Sequence, residues 1–227
     1  MECSFCSEIN NKSEKNFFNI YLKEEFEKEG LKSRIVTTTK NFLIMPMVGP
    51  LVPGYLLIVP KDHYLSISQL PKEQIEELKI IKSELQKLFN QIYGKCVFYE
   101  HGALSCSSKG GSCSDHAHLH IVAADTDVKD KFSKYGYELR KIVDYNEIIE
   151  QKERNIPYLY YENQENEMFI ADALIVESQF IRKLIAKDIN AIDRALWNEN
   201  IRKDWMIDIV KKLRPYFNKL KGSSIWE

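Results

Sequence analysis

The string His116-Ala117-His118-Leu119-His120-Ile121-Val122 packs three of the chain's five histidines into one pentapeptide. With an unperturbed pKa near 6.5, imidazole is largely neutral at cellular pH and can serve as nucleophile, general acid or metal ligand. Strand geometry would put His116, His118 and His120 on one face and Ala117, Leu119 and Ile121 on the core face. At about 3.3 Å per residue the outer two stand roughly 13 Å apart, which predicts divided labour rather than one metal held by all three. Neighbouring histidines also oppose one another's protonation, favouring a neutral, nucleophilic member. A second constellation is Cys3-x-x-Cys6, whose two thiolates could span one edge of a tetrahedral zinc site. A third is the stretch from Leu104 to Ser114, with Gly110, Gly111, five serines and Lys109. Its glycines allow a concave array of backbone N–H donors suited to phosphate oxygens.

These motifs resemble the histidine triad (HIT) superfamily of nucleotide hydrolases and transferases, whose motif His-φ-His-φ-His-φ-φ is matched at every position from His116 to Val122. Three more strings agree in order and spacing: Cys3-Ser-Phe-Cys6, the run from Pro53 to His63, and Glu100-His101-Gly102. The resemblance covers roughly residues 1–125. It implies an antiparallel sheet with a long helix, in which His118 attacks the α-phosphorus of a nucleotide-like substrate and forms a phosphoryl-histidine intermediate. It implies that His120 assists the leaving group, and that Glu100, Lys109, Gly111, Ser112 and Ser114 lie near the phosphates. No catalytic metal is required by that route.

The chain departs from the family pattern at four places. Tyr55 replaces a fourth histidine, Met47 stands where a ribose-binding acidic or amide residue is usual, Glu100 replaces an amide, and Gly111-Ser112-Cys113 replaces Gly-Gln-Ser. In relatives with the N-terminal cysteine pair, a structural zinc is completed by two histidines, which implies the set Cys3, Cys6, His63 and His116. A rival set is Cys3, Cys6, Cys106 and Cys113, and reduced, unliganded cysteines are a third alternative.

The elements that must position these residues follow from composition. The 227 residues are 44% hydrophobic and 29% charged, long enough for a self-sufficient core, and no apolar run suits a membrane span. Lys plus Arg (32) nearly cancels Asp plus Glu (33), which excludes a coat for polymeric nucleic acid. The N-terminus lacks a basic segment followed by an apolar core, so a cytoplasmic location is expected. In that reducing setting five cysteines predict metal ligation or burial rather than disulfides, with Cys96 a buried strand residue. A helical opening is expected over residues 15–30, strands over 33–47 and 55–59, a helix between Pro71 and Tyr93, and strands over 96–100 and 116–123. Beyond residue 125 the pattern predicts a strand over 137–143, a short helix, a hairpin over 158–170, and helices near 178–190 and 202–220.

The expected class is therefore α+β, with a HIT-like catalytic domain over 1–125 and an α+β extension over 126–227 that either caps the pocket or builds a homodimer. On a helix beginning near Ser178, Gln179, Arg182 and Lys183 fall within one turn and could hold a terminal phosphate, or form a solvated basic face. Trp197, Trp205 and Tyr216 read as core or interface aromatics. The expected function is a zinc-stabilised nucleotide hydrolase or transferase acting through His118 on a small-molecule nucleotide conjugate. The alternatives are a metallohydrolase with triad histidines as ligands, and a non-catalytic nucleotide-binding module.

Overall fold

The computed structural model describes residues 3–10, 16–105, 115–222 and 225–227. Their strands are β1 (Thr37–Thr38), β2 (Phe42–Pro46), β3 (Tyr55–Pro60), β4 (Val97–Gly102), β5 (Leu119–Val122), β6 (Arg140–Ile142), β7 (Tyr158–Glu162) and β8 (Met168–Asp172). They form one antiparallel sheet in the order β1-β2-β3-β5-β4-β7-β8-β6. The central strands β3, β5, β4 and β7 are buried along their whole length, which explains their near-continuous apolar and aromatic character.

The helices are α1 (Ser4–Ile9), α2 (Phe17–Tyr21), α3 (Lys23–Lys28), α4 (Lys72–Ile92), α5 (Asn146–Arg154), α6 (Phe180–Asp188) and α7 (Lys203–Leu220). Side chains of α4, α5 and α7 pack on one face of the sheet, and those of α1 and α6, with Phe132, on the other. The fold is α+β, as expected. None of the described helices is long and apolar enough to cross a membrane.

Helix α4 follows its sequence pattern closely. Pro71 occupies its N-cap, Ile75, Leu78, Ile81, Leu85 and Leu88 are buried, and Gly94 supplies a positive φ just past its end. Elsewhere tertiary contacts override the local pattern. The opening helix breaks at the fully buried Leu22 into α2 and α3. Strand β5 begins at Leu119 rather than His116, because the Ala117 N–H donates to the Tyr64 carbonyl at 2.6 Å. The strand expected over 137–143 shortens to β6, where the Val143 N–H is taken by the Glu147 carboxylate at 2.8 Å.

The sheet runs across residue 125. Strand β7 pairs with β4 over five residues, from Phe98 opposite Glu162 to Gly102 opposite Tyr158. A second junction lies at Gly49, whose φ of +64° and proximity to the Trp197 carbonyl leave no room for a β-carbon. The Gly49 N–H donates to the Ile201 carbonyl at 3.1 Å, pressing the turn between β2 and β3 against residues 197–201.

Candidate functional site

All five histidines gather around the central strands β4 and β5. His116 is fully buried, and its Nε2–H donates to the Pro60 carbonyl at 2.9 Å. A ring nitrogen facing a carbonyl must carry the proton, so Nδ1 keeps its lone pair. That Nδ1 lies 3.4 Å from Cys3 Sγ and 3.6 Å from Cys6 Sγ, and His63 Nδ1 lies 3.3 Å from Cys6 Sγ. The ligand atoms of Cys3, Cys6, His63 and His116 all fall within 4.8 Å of one another, so this cluster could hold a metal ion. Burial first, then the neighbouring His63 and His118, depress the His116 pKa to about 4, while its bond to Pro60 raises it. The neutral imidazole that ligation requires is thus favoured. The rival four-thiolate set depends on Cys106 and Cys113, which lie outside the described residues.

His118 is 7% exposed, and its Nδ1–H donates to the main-chain carbonyl of His116 at 2.7 Å. The same tautomer argument leaves the Nε2 lone pair available as a nucleophile. Burial holds the His118 pKa below its ordinary value, keeping the ring neutral. His120, on β5, meets His118 edge to face with ring centroids 4.7 Å apart. Register places Leu57 on one side of His120 and Tyr99 on the other. The Tyr99 ring stacks on His120 at 4.2 Å and 6°, and the Tyr55 hydroxyl lies 2.9 Å from His120 Nδ1. Tyr55 is therefore bonded directly to the last histidine of the His116-x-His118-x-His120 string.

His101 belongs to this face as well, although the sequence reading gave it no role. It lies two residues beyond Tyr99 on β4, and its Nε2 accepts the Ile181 N–H at 3.2 Å. Burial and His118 push its pKa down to about 3. The period of two along Tyr99-Glu100-His101 was the signal that could have found it.

Glu100 sits on the opposite face. Its carboxylate accepts the Ile67 N–H at 2.9 Å and the Tyr158 hydroxyl, among residues that pack with α4. The expected place beside the phosphates is thus not where the structure puts it: strand alternation turns it away from His101. Arg182 and Lys183 separate too. Arg182 is 1% exposed and binds main-chain carbonyls, whereas Lys183 pairs with Glu177 at 2.6 Å near the surface. Gln179 precedes α6 in a left-handed conformation with φ of +63°. Lys109, Gly111, Ser112 and Ser114 lie outside the described residues.

A cavity of about 270 Å³ lies next to Phe5, and its lining contains no histidine. Its lining includes Phe5, Phe17, Arg34, Met47, Leu57 and Trp197. Phe5 connects it to the triad, with its ring 5.5 Å from both His116 and His118. Arg34 forms a buried two-point pair with Glu8, at 2.7 and 2.8 Å. Trp197, expected in the core or at an interface, is half-buried and forms part of the cavity wall.

Comparison with known proteins finds relatives in sequence and in structure. CWF19-like protein 1 of Mus musculus is 26% identical over 183 residues, which are 74% of this chain and 32% of the relative. The chain thus spans about a third of that protein's length. Among solved structures, a histidine triad protein from Clostridium difficile is 22% identical with a TM-score of 0.38, covering 56% of this chain and 94% of its own. A zinc-bound histidine triad family protein from Mycobacterium smegmatis is 16% identical with a TM-score of 0.38, covering 56% of this chain and 78% of its own. The family model described as "Protein similar to CwfJ C-terminal" matches residues 25–138, half of the sequence. The chain belongs to that family of proteins similar to the CwfJ C-terminal.

Proposed function

We propose that this chain is a nucleotide hydrolase or nucleotidyltransferase of HIT type, working through a phosphoryl-histidine at His118. The observation that carries the reading is the 2.7 Å bond from His118 Nδ1 to the His116 carbonyl, which fixes the tautomer and leaves Nε2 as the nucleophile. Attack by Nε2 on phosphorus would form the N–P bond as the bond to the leaving group breaks, with His120 Nε2–H hydrogen-bonded to the departing atom and solvent supplying any proton it takes up. Water, or a second acceptor, would then take the phosphoryl group from nitrogen and restore the neutral ring. The aromatic cavity next to Phe5 supports a nucleoside seat, with Phe17 and Trp197 offering ring faces. Met47 in its lining, in place of an acidic or amide side chain, offers no hydrogen bond to a ribose.

Zinc is the metal best suited to the cysteine and histidine cluster. With Zn–S near 2.3 Å and Zn–N near 2.05 Å, the S···N edge of a tetrahedron is roughly 3.6 Å. The separations of 3.3, 3.4 and 3.6 Å fit that edge. A site closed by four protein ligands supplies folding energy and orientation, not an activated water. The Pro60 carbonyl holding His116 Nε2–H is the outer partner such a ligand needs.

The burial of His118 at 7% exposure favours a second reading, a nucleotide-binding module without turnover. Incubating the chain with dinucleotides, nucleotide sugars and nucleoside phosphoramidates, followed by alkaline quench and mass spectrometry, tests both. A mass increment on the peptide carrying His118 supports catalysis. Saturable binding with neither product nor adduct supports the module instead.

A further inference from the structure

Arg182 of α6 is among the largest fully buried side chains, at 1% exposure. A guanidinium keeps its charge even there. Among the described residues no carboxylate pairs with it. Its Nε donates to the Ala195 carbonyl at 2.8 Å, its Nη2 donates to the Gly49 and Arg194 carbonyls at 2.5 and 2.7 Å, and its Nη1 is buried without a hydrogen-bond partner. What its charge does meet is an aromatic face, for Cζ lies 5.6 Å from the centre of the Tyr55 ring.

Tyr55 is the residue bonded to His120. Its hydroxyl lies 2.9 Å from His120 Nδ1 and 2.5 Å from the Tyr99 hydroxyl. Toward these two partners the phenol can take either of two arrangements. It donates to Nδ1 and accepts from Tyr99, or it accepts from Nδ1–H and donates to Tyr99. The two put the His120 proton on opposite ring nitrogens. A cation over the ring draws electron density from the phenol oxygen, which makes its O–H a stronger donor and its oxygen a weaker acceptor.

We infer that Arg182 is a positioning residue for His120, acting through Tyr55: it sets Tyr55 as the donor to Nδ1, so that His120 presents Nε2–H. This deepens the reading of His118 and His120 as the reacting pair, and rests on it. The chain of donors runs from Tyr99 O–H to Tyr55 O–H to His120 Nδ1, leaving Nε2–H to bond a substrate oxygen. Tyrosine at position 55 and arginine at position 182 thereby work as one unit, and residues beyond 125 become part of the reacting centre. The carbonyl bonds of Arg182 also tie α6 to the turn at Gly49, and that purely structural role would leave the His120 tautomer untouched.

The tautomer can be read directly. Full-length chain carrying ¹⁵N-histidine and loaded with zinc is examined by long-range ¹H–¹⁵N correlation near pH 8, where the rings are neutral. The wild type is expected to show His120 protonated at Nε2. Arg182→Met, checked by circular dichroism and zinc content, is expected to move His120 toward Nδ1–H or a mixture, while Arg182→Lys retains much of the Nε2–H form. Tyr55→Phe, which removes the donor, should shift the tautomer in the same direction as Arg182→Met. Wild-type His120 protonated at Nδ1 overturns the inference, as does an unchanged tautomer in folded Arg182→Met. Should Arg182→Met fail to fold, an unchanged tautomer in Tyr55→Phe overturns it equally. None of these readouts depends on turnover: a chain with the expected tautomer and no activity on any nucleotide leaves the inference standing and removes the catalytic reading.

Discussion

The main-chain carbonyl of His116 accepts the Nδ1–H of His118 at 2.7 Å, so one residue serves two neighbouring functions. Its ring nitrogen Nδ1 faces the sulfurs of Cys3 and Cys6, while its backbone oxygen orients the next histidine on the same face. The cluster of Cys3, Cys6, His63 and His116 and the proposed nucleophile are thereby joined through two residues of backbone, with no side chain shared between them.

Replacement of His118 by Ala should therefore separate chemistry from architecture. Turnover of a nucleoside phosphoramidate is expected to fall by on the order of 10⁴-fold or more, as when a covalent nucleophile is removed. Metal content and melting temperature should stay near those of the wild type, because His118 makes none of the cluster's contacts. Kinetics alongside elemental analysis would check this. Loss of metal in the His118 variant would show that the division of labour is wrong.

Cys6→Ser is expected to do the reverse. Cys6 Sγ lies 3.3 Å from His63 Nδ1 and 3.6 Å from His116 Nδ1, so its loss opens the cluster on two sides. Bound zinc should drop well below one ion per chain. If the lost ligation costs about 3 kcal/mol, the melting temperature should fall by roughly 6–12 °C for a chain of this size. Thermal denaturation of the two proteins with and without a chelator provides the comparison. A wild type indifferent to the chelator would argue against a structural ion here.

Trp197 offers a test of the nucleoside seat. It comes from the region beyond residue 125 and forms part of the wall of the 270 Å³ cavity next to Phe5. Trp197→Ala should weaken nucleoside monophosphate binding by about 10–100-fold, the loss expected for one large aromatic wall, and leave binding of orthophosphate unchanged. Calorimetric titration with both ligands distinguishes a base-side effect from general damage. Parallel losses for the two would place the nucleoside elsewhere.

The site was legible in the sequence wherever chemistry depends on local spacing. Alternation around His118, the Cys3-x-x-Cys6 pair and the helical period of α4 each survive in the structure because neighbours in sequence dictate them. Glu100 illustrates the failure of reading by motif alone. It adjoins His101, yet one step along a strand reverses the face, and the carboxyl points to the Tyr158 hydroxyl instead. Arg182 and Lys183 fall within one turn of a helix whose register against the sheet the sequence does not specify. Only tertiary packing showed that one is buried over Tyr55 and the other is paired with Glu177. The bond between Tyr55 and His120 joins residues 65 apart in sequence, and no local pattern announces it.

Glu100 also makes the stability of the fold depend on pH in a window of its own. Burial raises its pKa to about 8, against the lowering effects of Tyr158 and the Ile67 N–H. In the unfolded chain the same carboxyl titrates near 4.3. Between those values the folded chain keeps a proton that the unfolded chain has released, so stability falls as pH rises toward 8 and levels off beyond. His101 and His116, depressed to about 3 and about 4, act in the opposite sense, and theirs is a loss of stability as pH drops below about 6.5. Part of that histidine contribution, shared by His118 and His120, still falls between pH 6.5 and 8, because an unfolded imidazole is half protonated at 6.5, so the carboxyl is read from the difference between the wild type and Glu100→Gln. Urea unfolding over that interval should show the wild type losing about 1.5 kcal/mol relative to Glu100→Gln, given 1.36 kcal/mol per pH unit while the proton is held. Glu100→Gln, which keeps an acceptor for Ile67 and cannot ionise, should retain only the rising histidine contribution and should be the more stable protein at pH 8. Equal slopes in the two proteins would mean that Glu100 is ionised in the folded state.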